Sequence, residues 1–174
     1  MFCVTESSLH EICGHRALRR GHARTSDAIS FARDLNGDDV AFLDPPYSGV
    51  HYSRFYHVLE TVARGQCAEV TGDGRYPPPQ ERPTSSFSRP SESREALNNL
   101  FSVLAERRVR TILTFPTEKT SNGLSGQIVQ ELAKKYFKVR NYLVNGRFST
   151  LGGNKVHRAA RIPAYEVILV MQPR

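Results

Sequence analysis

Val40-Ala41-Phe42-Leu43-Asp44-Pro45-Pro46-Tyr47 is an apolar strand that runs straight into an acidic, doubly prolyl, aromatic turn. In an open α/β sheet, ligands bind outside the carboxyl ends of the strands, which puts Asp44 at the mouth of a site. Two consecutive prolines fix their own φ and bias the preceding residue toward an extended conformation, so the turn is a stiff arch. The carbonyls of Asp44 and Pro45 can then accept hydrogen bonds outward instead of entering a ladder, and Tyr47 adds a flat aromatic face. A carboxylate, a free carbonyl and a stacking ring suit a planar amine better than a phosphate or a metal. The plainer alternative is a proline-terminated strand with a turn tyrosine.

Upstream, Ser26 is placed to cap a short helix with Asp27 in its first turn and Ile29, Phe31, Ala32 and Leu35 partly buried. Asn36-Gly37-Asp38-Asp39 supplies the turn into the strand. Downstream, Tyr52, Phe55, Tyr56, Leu59, Val62 and Ala63 fall on one helical face and are expected in a core. His51, Ser53 and Arg54 lie off that stripe near the arch, where they can meet a nucleic-acid backbone or a flipped base. His57, one turn farther on, reads as structural or solvated. Residues 66–90 break composition, with Pro77-Pro78-Pro79, several Ser and Thr, Gly72 and Gly74. They read as a flexible loop that cannot bury enough apolar surface to order itself. Arg75 within it is a candidate for nucleic-acid contact.

Ser91 can cap a helix reaching about Arg108, with Leu97, Leu100, Phe101 and Leu104 facing inward. Val109 to Phe115 reads as a strand ended by Pro116, and Thr117–Gly123 as a polar loop on the same side as the arch. Leu124, Ile128, Leu132 and Tyr136 mark a further helix, and strands at about Lys138–Val144 and Ala164–Met171 close the chain. From Lys134 to Arg161 there are eight Lys or Arg before an acid appears, among them Arg147, Lys155, Arg158 and Arg161. That is a footprint for a phosphate backbone, although such runs are usually solvated faces.

The chain has 174 residues, one domain's worth, and a net charge of +7, which suggests a polyanionic partner. Three cysteines (Cys3, Cys13 and Cys67) argue against a disulfide framework and for a reducing cytoplasm. No run approaches a transmembrane length, and no membrane partner is expected. Cys3, Cys13, His10, His15 and His22 lack the paired spacing of a closed zinc site, so no metal is assigned. Residues 1–25 read as a basic arm.

The run Asp44-Pro-Pro-Tyr-Ser-Gly-Val-His-Tyr-Ser-Arg-Phe-Tyr-His-Val-Leu-Glu60 resembles the adenine-specific (N6) DNA methyltransferases. Their fourth motif is [D/N/S]-P-P-[Y/F/W]. The resemblance extends to about Gln172. It implies S-adenosyl-L-methionine as cofactor, DNA as partner, and Asp44, Pro45, Pro46 and Tyr47 as the catalytic group. It further places Asp44 and Asp27 against the cofactor, where Asp27 is alternatively an ordinary helix-start aspartate. The fold implied is α/β, a Rossmann-like class I methyltransferase sheet represented by strands four to seven only. Its spatial order is 4-5-7-6, with an antiparallel C-terminal hairpin. Residues 26–172 are then a partial catalytic domain.

One departure from the family stands out. Its glycine-rich turn after the first strand, typically F-x-G-x-G, does not precede Asp44. The chain is therefore expected to be a fragment or split half whose first three strands come from a second chain or a missing N-terminal segment, with self-association as another outlet for the open strand edge. Two other readings stay open: a non-catalytic DNA-binding subunit or remnant, and the same chemistry on an RNA guanine.

Overall fold

The structure, a computed structural model, describes residues 22, 24–50, 53–66, 69–73, 75–82, 84–148 and 162–174. The chain divides into two units, Asp27–His51 with Thr84–Arg174, and Met1–Ser26 with Tyr52–Pro83.

The larger unit is an α/β layer built on a four-stranded sheet. Its elements are α1 (Ala28–Asp34), β1 (Val40–Leu43), α3 (Ser93–Glu106), β2 (Arg110–Pro116), α4 (Gly126–Tyr136), β3 (Phe137–Phe148) and β4 (Ile162–Pro173). The strand order is β1-β2-β4-β3. β1 runs parallel to β2, whereas β4 is antiparallel to both β2 and β3. This is the expected 4-5-7-6 order with its closing hairpin. The parallel pair is joined across a long connection that includes α3, while β3 and β4, with no helix between them in the described residues, pair in opposite directions, as a direct connection allows.

The core lies on one face of the sheet. Alternate residues Thr111, Leu113 and Phe115 of β2 and Val167, Leu169 and Met171 of β4 are buried there. α3 covers them with Ala96, Leu97, Leu100, Phe101 and Leu104, a single helical face, and α4 adds Val129, Leu132 and Ala133. Phe101 meets Phe137 edge-on, with ring centroids 6.1 Å apart. α3 stops in a Schellman motif: the Val109 N–H donates to the Leu104 carbonyl and the Arg108 N–H to the Ala105 carbonyl. Arg108 takes the left-handed conformation (φ 59°) that this motif requires, and its guanidinium donates to the Arg174 carbonyl.

Several expected details are corrected. Asp27, not Ser26, is the N-cap of α1, accepting from the Ser30 N–H at 2.9 Å. Phe31 is exposed rather than partly buried. Ser91 does not cap α3; the helix starts at Ser93, whose buried hydroxyl is drawn to the distant Asn122 carbonyl at 2.7 Å. Pro116 is the last residue of β2 rather than the first beyond it, because that position closes an antiparallel pairing with Glu166. The 40–44 strand is half-buried. Ala41 packs inward, but Val40 and Phe42 are 56% and 66% exposed on the opposite face of β1.

The smaller unit contains α2 (Ser53–Arg64), an antiparallel bridge between Thr71 and Tyr76, and a 3-10 turn at Pro79–Glu81. Of the expected stripe, Tyr52 and the Phe55 side chain lie outside the described residues, and the rest is not a core face. Among the described side chains, Tyr56 is half-buried, but Leu59, Val62 and Ala63 are exposed. The reason is physical: an apolar stripe is buried only against a second apolar layer, and the 3-10 turn buries no residue.

Candidate active site

Asp44 follows directly on β1, at the carboxyl end of the parallel pair. The β1–β2 register aligns Leu43 with Leu113, which brings Thr114 beside it. The Thr114 hydroxyl donates to the Asp44 carboxylate at 3.4 Å, a long bond that orients the group while leaving it exposed to solvent. Pro45 and Pro46 are half-buried and Tyr47 is 42% exposed. The four residues expected to act together are thus contiguous at the surface of the larger unit. An exposed carboxylate followed closely by an aromatic ring can grip an amine on a flat heterocycle.

The arch is held from below by the loop between β2 and α4. The buried Asn122 carboxamide donates to the Pro46 carbonyl at 2.7 Å and to the Phe87 carbonyl at 3.0 Å. Ser121 accepts from the Gly49 N–H at 2.9 Å. A Cβ on Gly49 would stand 3.4 Å from the Ser121 carbonyl oxygen, so the two segments are in close approach. The loop is itself pinned at its start, where Thr117 donates through both N–H and hydroxyl to the Tyr165 carbonyl of β4. Asn122, Ser121 and Thr114 had no role assigned from sequence. Asn122-Gly123 carries only a turn signal, and nothing local marks partners thirty or more residues away.

The other expected contacts are placed as follows. Asp27 caps α1, and the Ser30 backbone N–H that it accepts holds its carboxyl below the usual carboxylate range. Arg75 belongs to the smaller unit, at an exposed turn with φ 49° closed by the Thr71–Tyr76 bridge. The Tyr76 ring meets His57 edge-on at 5.1 Å. Ser53 and Arg54 lie in the first turn of α2 and Arg147 pairs with Pro163 in the closing hairpin, as positions of backbone only. His51, Lys155, Arg158 and Arg161 fall outside the described residues, as do Cys3, Cys13, His10 and His15. From the basic run, Lys134 and Lys135 are exposed in the last turn of α4, and Lys138 and Arg140 are exposed on β3. Among the described residues, no cluster of His, Cys, Asp or Glu can hold a metal ion, and no helix is long and apolar enough to cross a membrane.

No solved structure matches the chain. A curated relative, the modification methylase LlaI of Lactococcus lactis subsp. lactis, is 39% identical over 70 residues. That segment is 40% of this chain and 11% of the relative, so the chain spans a small part of that protein's length. Residues 15–112, more than half of the chain, match the family model of the D12 class N6 adenine-specific DNA methyltransferases. The matched stretch contains β1, the complete arch and α3. The chain therefore belongs to the D12 class N6 adenine-specific DNA methyltransferase family.

Proposed function

We propose that this chain is the base-handling part of an S-adenosyl-L-methionine-dependent enzyme that methylates the exocyclic N6 of adenine in DNA. The observation that carries this reading is the exposed Asp44 carboxylate standing with Pro45 and Tyr47 at the carboxyl end of β1. Adenine N6 is out of reach in a stacked duplex, so the base is flipped into the arch. The Asp44 carboxylate and the Pro45 carbonyl accept the two N6 hydrogens, which turns the nitrogen lone pair out of the ring plane. Tyr47 stacks on the base, a contact worth about 1–3 kcal/mol. Thr114 keeps the carboxylate aimed. Pro46 stiffens the turn between them.

For the cofactor, the exposed carboxylates of Asp27 and Asp44 fit the amino and hydroxyl donors of S-adenosyl-L-methionine, and these are the residues that would hold it here. When bound, it supplies an electrophilic methyl group on a sulfonium. The glycine-rich turn for its methionine end, which does not precede Asp44 in this sequence, is assigned to a second chain or a further segment. The outer edge of β1, which pairs with no other strand among the described residues, is the natural place for further strands to join. His51, Ser53, Arg54 and Arg75 are proposed to meet the DNA backbone or the flipped base, and Arg147, Lys155, Arg158 and Arg161 the backbone. The cytoplasm is the compartment that fits this reading.

The test is transfer of labelled methyl groups to duplex DNA and to structured RNA, with the products identified as nucleosides. The chain is assayed alone and with the segments that complete it. N6-methyladenine from DNA, lost in Asp44→Ala, is expected. N2-methylguanine from RNA would favour the alternative substrate, and transfer untouched by Asp44→Ala would overturn the assignment.

A further inference from the structure

The strongest unassigned feature is Asn122, whose side chain is fully buried yet fully bonded. Its Nδ2 donates to the carbonyls of Pro46 (2.7 Å) and Phe87 (3.0 Å). Its Oδ1 accepts from the Thr120 hydroxyl (2.6 Å) and the Leu124 N–H (3.2 Å). Its own carbonyl takes the Ser93 hydroxyl at 2.7 Å. One carboxamide thus joins the arch, the 3-10 turn at Ser86–Ser88 and the loop that leads from β2 to α4. Only a side chain with two donors and an acceptor on one short stem satisfies those four partners at once. Burial removes water as a substitute, so losing the amide leaves two carbonyls unpaired.

The choice of carbonyl matters. Asn122 ties down the Pro46 carbonyl, one residue beyond the Pro45 carbonyl that the proposed chemistry turns outward. With φ fixed at both prolines, clamping Pro46 sets the remaining rotation of the turn and hence the directions of Asp44, the Pro45 carbonyl and Tyr47. Ser121 adds a second fixing point at Gly49.

We propose that Asn122 is the positioning residue of the Asp44–Tyr47 arch: its carboxamide anchors the Pro46 carbonyl and so pre-sets the amine-accepting groups. The proposal deepens the methyltransferase reading and rests on it for its functional consequence.

The test uses the full chain carrying Asn122→Ala, with Ser93→Ala as control. Ser93→Ala removes a buried bond from the same loop while sparing the carboxamide. The first readout is amide hydrogen exchange. Asn122→Ala is expected to accelerate exchange at Tyr47–Val50 by about tenfold or more while the β2 and β4 amides stay protected. Ser93→Ala is expected to leave Tyr47–Val50 unchanged. Equal acceleration in both variants, or none in Asn122→Ala, overturns the clamp. The second readout is affinity for an oligonucleotide with one unpaired adenine against the same strand with purine, which lacks the amino group. Asn122→Ala is expected to lose most of the wild-type preference, while binding to the duplex portion changes less than about twofold. A preference kept intact in Asn122→Ala overturns the positioning role. If the wild-type chain shows no preference, the adenine reading fails and the exchange result alone decides the clamp. Should Asn122→Ala not fold, Asn122→Asp, which keeps the size and the accepting oxygen but removes the amide donors, must accelerate exchange at Tyr47–Val50, and unchanged exchange there overturns the clamp.

Discussion

Asp44 stands exposed at the end of a strand, and among the described residues the Thr114 hydroxyl is what bonds its carboxylate. Its proposed work is done on the neutral amino group of a base, so it must act on the reacting base rather than on DNA affinity. Asp44→Ala is therefore expected to abolish methyl transfer while changing duplex affinity less than about threefold, since backbone charge dominates that affinity. Equal losses of both would remove its assigned role. Thr114→Val preserves shape and deletes the aiming hydroxyl. Given a bond of 3.4 Å, the expected fall in transfer rate is small, about three- to tenfold, with the Michaelis constant for DNA unchanged. The arch residues were legible in the sequence because proline, aspartate and tyrosine write their constraints locally. Thr114 and Asn122 were not, because their partners lie far along the chain and no local pattern encodes such a bond.

At the scale of elements, helix ends and close packing set the stability of the layer behind the site. Asp27 caps α1, and Asp27→Ala is expected to cost about 1 kcal/mol in urea unfolding at neutral pH. The folded state lowers the Asp27 pKa, so its contribution is complete above the ordinary carboxylate range and is lost as pH falls through the lowered value. Comparison with Asp27→Ser should therefore show a stability gap at neutral pH that closes in strong acid. A gap independent of pH would show that the charge is irrelevant to the cap. Gly126 opens α4 where a Cβ would come within 3.0 Å of Val167 and 3.1 Å of the Pro116 carbonyl and the Thr117 Cα. Two of these neighbours are backbone and cannot yield easily. Gly126→Ala is expected to destabilise by about 1–3 kcal/mol in the same unfolding measurement. Strand–helix alternation made the order of elements legible, and the family resemblance made their spatial order legible. The stripe on α2 misled because periodicity reports that a face is apolar, not that anything covers it.

At the largest scale, one face of the sheet is a packed core, and the other mixes exposed apolar side chains with charged ones such as Arg110 and Arg140. Val40, Phe42, Tyr142 and Val144 are 56%, 66%, 54% and 42% exposed, and among the described residues β1 has a strand on one side only, beside the Asp44–Tyr47 arch. A parallel pair normally has both faces covered. Further strands and helices are accordingly expected to seat here, and Phe42→Lys should weaken the chain's association with a completing segment, or with itself, in light-scattering titrations. A chain that stays monomeric and folded, and that co-purifies with no completing segment, would speak against this. The proposed chemistry requires the arch to receive an exocyclic amine. The most direct test is the affinity of the full chain for DNA with one extrahelical adenine against the same DNA with purine at that site. A preference for adenine of about tenfold is expected, the equivalent of one charge-assisted hydrogen bond, erased in Asp44→Ala. Equal affinity for adenine and purine in the wild-type chain would contradict it.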